Sequence, residues 1–149
     1  MRAHYKFTVL GCGSSGGVPR LGNLWGNCDP LEPKNIRLRC SLLVQKFGNE
    51  GVTNVLIDTS PDLRSQLIAA SVGLLDAVVY THYHADHVNG IDDLRMIVFN
   101  RKKILPIWAD EGTQERLLKC FDYAFKRIHG SNYPAILAMN SIKQKINYL

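Results

Sequence analysis

The chain is most informative first in what it lacks. Its 149 residues hold no C-x-x-C pair, no low-complexity tract and no internal repeat. No run of residues approaches the ~20 uninterrupted apolar positions that a bilayer span demands, so a membrane helix is excluded. Residues 1–6 carry no apolar stretch that would serve as a secretory leader. Without such a leader, Cys12, Cys28, Cys40 and Cys120 read as reduced thiols, not a disulfide framework, and a cytoplasmic location is expected. What is present is ordinary for one globular domain. Apolar residues make up 46% and charged residues 21%, enough to bury a core and too apolar for a disordered chain.

The formal charge of +5 is unevenly placed. Residues 1–100 carry nine Lys/Arg against nine Asp/Glu, whereas residues 101–149 carry nine against four and supply the whole excess. Such a bias suits an anionic substrate or nucleic acid. Aromatic–basic interleaving is sparse there, however, and a solvated helix surface accounts for it more simply.

The chain alternates strand and helix signals. Tyr5–Leu10 is rich in β-formers, and the five glycines of residues 11–23 make a loop. Ser41–Phe47 and Val52–Ile57 form a hairpin across Gly48-Asn49-Glu50-Gly51. Ser60-Pro61-Asp62 opens a helix running to about Ser71, and Asp76–Tyr80 is a short apolar strand. Gly90–Phe99 is helical, Ile104–Trp108 is a strand, and Thr113–Ile128 carries one apolar helical face. After Gly130 a short strand or loop follows. The order predicts an α/β domain with a mixed sheet and flanking helices.

One segment carries chemistry. Directly after the apolar strand come His82, His84, Asp86 and His87, at H-x-H-x-D-H spacing. Imidazole and carboxylate suit Zn²⁺, Mn²⁺ or Fe²⁺. His82 and His84, two apart on extended chain, project to one side, with Tyr83 pointing away. Asp86 and His87 follow where the chain bends into the next helix and face a neighbouring position. Two ligands for one ion and two for its neighbour indicate a dinuclear site.

With this motif the chain resembles the metallo-β-lactamase-fold hydrolases. Gly11-Cys-Gly-Ser-Ser-Gly-Gly-Val-Pro19, Asp58-Thr-Ser-Pro-Asp-Leu-Arg64 and Gly90-Ile-Asp-Asp-Leu-Arg95 resemble the branch of phosphoribosyl cyclic phosphodiesterase and, more distantly, ribonuclease Z. The resemblance runs from about Tyr5 to Asp110. It implies that His82 and His84 hold one divalent ion (Zn or Mn) and Asp86 and His87 a second. Asp86 also positions the attacking water as the catalytic residue, and Asp58 orients ligands from outside the metal shell. The implied reaction is phosphodiester hydrolysis by a metal-activated hydroxide on a small substrate. The glycines of residues 11–17 would let backbone run beside the metals.

Other residues are read more plainly. Asp92 and Asp93 favour a helix N-terminus, and Arg64 and Arg95 are expected to pair with these acids. Trp25 and Trp108 are packing residues. Cys28 stands where some relatives carry a structural zinc, but tetrahedral zinc needs four ligands and none is expected here. His4 is expected ahead of the first strand, at the surface.

The resemblance also exposes a shortage. Such a fold is an αβ/βα sandwich of two halves, and the family's remaining metal ligands lie downstream of the first. After His87 the one remaining histidine is His129, in a context unlike a metal ligand. The expectation is therefore a single, truncated domain holding the N-terminal half of the sandwich. It implies half-complete metal sites and an apolar sheet face that self-association would cover. The alternative to a hydrolase is an inactive remnant acting as a folded or self-associating module.

Overall fold

The structure, a computed structural model, describes residues 4–127, 130 and 132–142. Six strands form one sheet in chain order: β1 (His4–Gly11), β2 (Ser41–Gly48), β3 (Gly51–Ile57), β4 (Ala77–Val79), β5 (Leu105–Ala109) and β6 (Leu137–Ser141). The first three are antiparallel; β3 through β6 are parallel. The helices are α1 (Leu63–Ala69), α2 (Ala85–Val88), α3 (Leu94–Arg101), α4 (Glu111–Cys120) and α5 (Asp122–Phe125). This is the mixed α/β sheet with flanking helices that the strand and helix signals predict. His4 lies within β1, where its ring stacks on Phe47, and not ahead of the strand.

Strand register sorts the side chains into two faces. Thr8, Leu43, Leu56, Val78, Ile107 and Met139 lie side by side across all six strands. Of this row, Leu43, Leu56, Val78 and Ile107 join the core with Leu63, Leu67, Leu94, Ile97 and Leu117 from the helices. The next row, one residue on, is Val9, Leu42, Ile57, Val79, Trp108 and Asn140, and period-two alternation puts it on the opposite face. No helix covers that face among the described residues. Val9 is 65% exposed, Phe7 67% and Trp108 40%. Trp108 is thus not the packing residue expected of it. Trp25 is half-buried, its Nε1 donating to Asn23 at 2.9 Å.

Two helices differ from expectation. The helix expected over Thr113–Ile128 begins earlier, because the Asp110 carboxylate accepts the Thr113 amide at 2.8 Å, and it breaks at Phe121. There φ −131°, ψ 36° turns the chain, and Tyr123 reaches Asp92 at 2.7 Å. Ile128 lies outside the described residues. The start expected at Ser60 is displaced to Leu63. The Ser60 hydroxyl instead donates to Gln66 at 2.9 Å while accepting the Asp62 amide at 3.2 Å.

Glycine decides two close approaches. A Cβ at Gly90 would stand 2.1 Å from the Ser60 carbonyl oxygen, and one at Gly11 would stand 2.1 Å from that of Arg39. The glycine-rich segment therefore lies against the carbonyls of residues 37–39. Gly90→Ala is expected to destabilise the domain by about 1–3 kcal/mol, read from urea unfolding, because the contact is with backbone that has little room to move.

Arg39 ties that segment to α1, its guanidinium and amide gripping both Asp62 oxygens. This hydrogen bonding holds the Asp62 carboxyl below its usual range. A depressed folded pKa contributes stability above the unfolded value, and that stability is lost as pH falls through the folded one. Asp62→Asn is accordingly expected to flatten the loss of stability below about pH 4 while leaving a smaller, pH-independent deficit. Unfolding measured from pH 7 to pH 3 checks this.

Candidate metal centre

The H-x-H-x-D-H segment is launched by a buried anchor. Strand β4 ends at Val79, and the next residue, Tyr80, is fully buried. Its amide donates to the Trp108 carbonyl at 2.8 Å and its hydroxyl meets Thr59 Oγ1 at 3.0 Å. Burial pushes the Tyr80 hydroxyl pKa up, so it stays a neutral structural group. Residues 81–84 then leave the sheet edge, and the His84 carbonyl accepts the His87 and Val88 amides to start α2. Asp86 and His87 thus sit inside a short helix, where a turn was expected.

Asp58 organises this segment. It follows β3 directly, is 2% exposed and adopts φ +60°, a conformation a non-glycine residue seldom takes. Its Oδ1 accepts the Thr81 amide at 2.8 Å, and its Oδ2 accepts the Thr81 hydroxyl at 2.7 Å and His87 Nδ1 at 2.7 Å. The Thr81 hydroxyl proton is thereby committed, so Thr81 Oγ1 accepts from His82 Nδ1 at 3.0 Å. A carboxylate only accepts, and the chain of donors fixes both tautomers. In their neutral forms His82 and His87 carry the proton on Nδ1 and present Nε2 as a lone pair. Zinc-binding histidines are oriented by such outer hydrogen bonds. Thr81 is the residue that sequence reasoning missed. It stands next to His82, but only the fold brings Asp58 to it.

The three imidazoles gather. His82 lies 4.6 Å from His84 and 4.1 Å from His87, ring centre to ring centre. Asp86 Oδ2 lies 3.4 Å from His87 Nε2. The donor types are those that bind divalent cations. Yet no group of three or more His, Cys, Asp or Glu among the described residues converges as a metal-holding cluster. The chemistry of the donor set therefore fits a metal, while the side chains are not already wrapped around one.

Beside the motif, Tyr83 forms one wall of a shallow cavity of about 500 Å³ with Gly112, Glu115, Arg116 and Lys119 of α4. Two cations against one acid make this rim electropositive. Arg95 does not pair with Asp92 or Asp93 as expected; its guanidinium lies over Tyr133, 5.3 Å from the ring centre. Asp92 instead accepts from Tyr123, whose hydroxyl pKa burial and that carboxylate push up to about 12. Arg64 is exposed, and no ion pair holds it among the described residues. His129 lies outside the described residues.

Thr81→Val isolates the bridging hydroxyl. The variant is expected to fold with a loss of about 1 kcal/mol while the His82 ring reverts to a mixture of tautomers. Imidazole nitrogen chemical shifts report this directly. Thr81→Ser is expected to retain the wild-type tautomer, and an unchanged His82 in Thr81→Val would remove the relay.

Comparisons with known proteins bear on the family of the chain. The family described as Beta-lactamase superfamily domain matches residues 53–146. A diphosphatase of the PhnP family, a solved structure, superposes with TM-score 0.77 at 36% identity over 100% of this chain and 54% of its own. PqqB from Methylobacterium extorquens, solved with Zn²⁺ bound, shares the fold with TM-score 0.57 at 19% identity, covering 93% of this chain and 46% of that one. A protein named octanoyltransferase from Porphyromonas gingivalis is 37% identical over 119 residues, which is 80% of this chain and 23% of that protein. A ribonuclease Z from Clostridium acetobutylicum is 32% identical over 92 residues, 59% of this chain and 28% of that protein. The chain thus spans between about a quarter and about half the length of these relatives. No helix among the described residues is long and apolar enough to cross a membrane. With the H-x-H-x-D-H segment at the end of a parallel strand and the family match over most of the chain, this polypeptide belongs to the beta-lactamase superfamily.

Proposed function

We propose that the chain supplies the metal-binding half of a hydrolase that cleaves phosphodiester or diphosphate bonds. The observation that supports this reading is the Asp58–Thr81 network, which engages Nδ1 of His82 and of His87, with the His82 ring 4.6 Å from that of His84 and 4.1 Å from that of His87. His82 and His84 would hold one divalent ion, Zn²⁺ or Mn²⁺, and Asp86 and His87 a second. Bound divalent ions lower the pKa of water and neutralise charge developing on a phosphoryl group. The remaining work falls to the chain itself. Asp58, through His87 Nδ1 and Thr81, keeps the imidazoles from turning their protonated nitrogens to the site. Asp86 would orient the attacking water. Arg116 and Lys119 give the adjoining cavity the positive charge an anionic substrate requires. The diphosphatase and ribonuclease Z relatives act, by their names, on phosphate esters or anhydrides, which supports the choice of substrate class.

Metal content by mass spectrometry, with hydrolysis of an aryl phosphodiester under added Zn²⁺ or Mn²⁺, tests the proposal. Metal retention is expected to fall at least tenfold in His84→Ala, and turnover is expected to depend on the added ion. A chain that binds neither ion above the His84→Ala level would overturn the metal assignment. Metal retention without turnover of any phosphodiester or diphosphate would overturn the reaction assigned to it.

A further inference from the structure

The hydrogen bonds of Asp58 and Thr81 account for the rings of His82 and His87, but not for the backbone that carries Asp86 and His87. That backbone is α2, four residues long, with Val88 its one buried residue. A single helical turn has little stability of its own, because it fixes many dihedral angles for few hydrogen bonds. Its direction is set from outside, and the contacts converge on one residue. The Thr59 amide donates to the His87 carbonyl at 2.8 Å, and the Thr59 hydroxyl donates to the Val88 carbonyl at 3.1 Å. The Thr59 carbonyl accepts the Gly90 amide at 2.9 Å. Thr59 is fully buried, so a lost partner here is not replaced by bulk water.

Donor arithmetic gives these bonds a direction. A hydroxyl carries one proton and a carbonyl can only accept, so the Thr59 proton is committed to Val88. The Tyr80 hydroxyl, 3.0 Å from Thr59 Oγ1, is therefore the donor in that contact. Tyr80 is buried, directly follows β4 and stands two residues before His82. The series Tyr80 hydroxyl, Thr59 hydroxyl, Val88 carbonyl thus joins the strand that launches His82 to the helix that carries Asp86 and His87. It shares no atom with the Asp58–Thr81 bonds.

We propose that Thr59 is a positioning residue for the Asp86–His87 half of the metal centre, with the Tyr80 hydroxyl holding the Thr59 side chain in its donating rotamer. The inference rests on the reading that His82 and His84 hold one ion and Asp86 and His87 a second. Its distinctive consequence is asymmetry. The Asp58–Thr81 bonds reach both His82 and His87, so their loss disturbs both rings. The Thr59 hydroxyl bonds only Tyr80 and the last carbonyl of α2, so its loss loosens α2 and leaves His82 on Thr81.

The test compares Thr59→Val, Thr59→Ser and Tyr80→Phe in the whole chain. In the metal-free protein, Thr59→Val is expected to change the imidazole nitrogen chemical shifts of His87 and to leave those of His82 at wild-type values. Thr59→Ser keeps the hydroxyl and is expected to retain wild-type shifts at both rings. Zn²⁺ titrated and followed at each ring is expected to bind about 10–100-fold more weakly at His87 in Thr59→Val, with the affinity sensed at His82 and His84 unchanged. Tyr80→Phe is expected to show the same asymmetry at smaller amplitude, and it carries the test should Thr59→Val fail to fold. Equal changes at His82 and His87, no change at His87, or a Thr59→Ser that behaves as Thr59→Val would overturn the proposal. Failure of both Thr59→Val and Tyr80→Phe to fold would also overturn it, because the contacts would then serve the whole fold and not α2 in particular. A wild-type chain that binds no Zn²⁺ at any ring would overturn the metal reading instead, and the metal-free shifts would still decide whether Thr59 positions His87.

Discussion

The structure turns on one buried carboxylate. Asp58 is almost wholly withdrawn from water, and burying a charge is costly unless donors surround it. Here the donors are the Thr81 amide, the Thr81 hydroxyl and His87 Nδ1. Satisfying Asp58 and arranging the histidines are therefore one event. Removing the carboxylate would leave three donors without their acceptor and release the rings they orient. The segment after Asp58 reinforces the clamp, because the Thr59 amide and hydroxyl bond the carbonyls of His87 and Val88, and the Gly90 amide returns to Thr59. The left-handed backbone at Asp58 is strain held in place by these contacts at a candidate functional site.

The sheet makes that clamp possible. Parallel strands β3, β4 and β5 end together, so the residues following each meet at one edge. Asp58 follows β3, the histidine segment follows β4, and Asp110 caps α4 after β5. The same sheet leaves its second face without a helix among the described residues, with Phe7, Val9 and Trp108 exposed. That open face accompanies a chain that spans about half of the diphosphatase whose fold it shares. The core on the helix side is filled, whereas the other side exposes apolar side chains.

Much of this was legible in the sequence. The strand and helix signals gave β1 to β5 and the α/β character, with strand and loop both open after Gly130, because alternation and the 3.6-residue repeat are local properties. Ser60 and Thr113–Ile128 show the limits. At Ser60 a buried tertiary bond to Gln66 replaced a helix cap, and at Phe121 packing of α5 interrupted an unbroken apolar stripe. Arg95 was assigned an acidic partner by proximity in the chain, yet Tyr133, far away in sequence, occupies its guanidinium.

By itself the sequence determined the donor types and their spacing: His82, His84, Asp86 and His87 after an apolar strand. Residue chemistry and local periodicity are written residue by residue. Only the tertiary structure decided which nitrogens the outer hydrogen bonds occupy and that Thr81 relays Asp58 to His82. Those relations join residues more than twenty positions apart, through register and burial, and no local pattern encodes them.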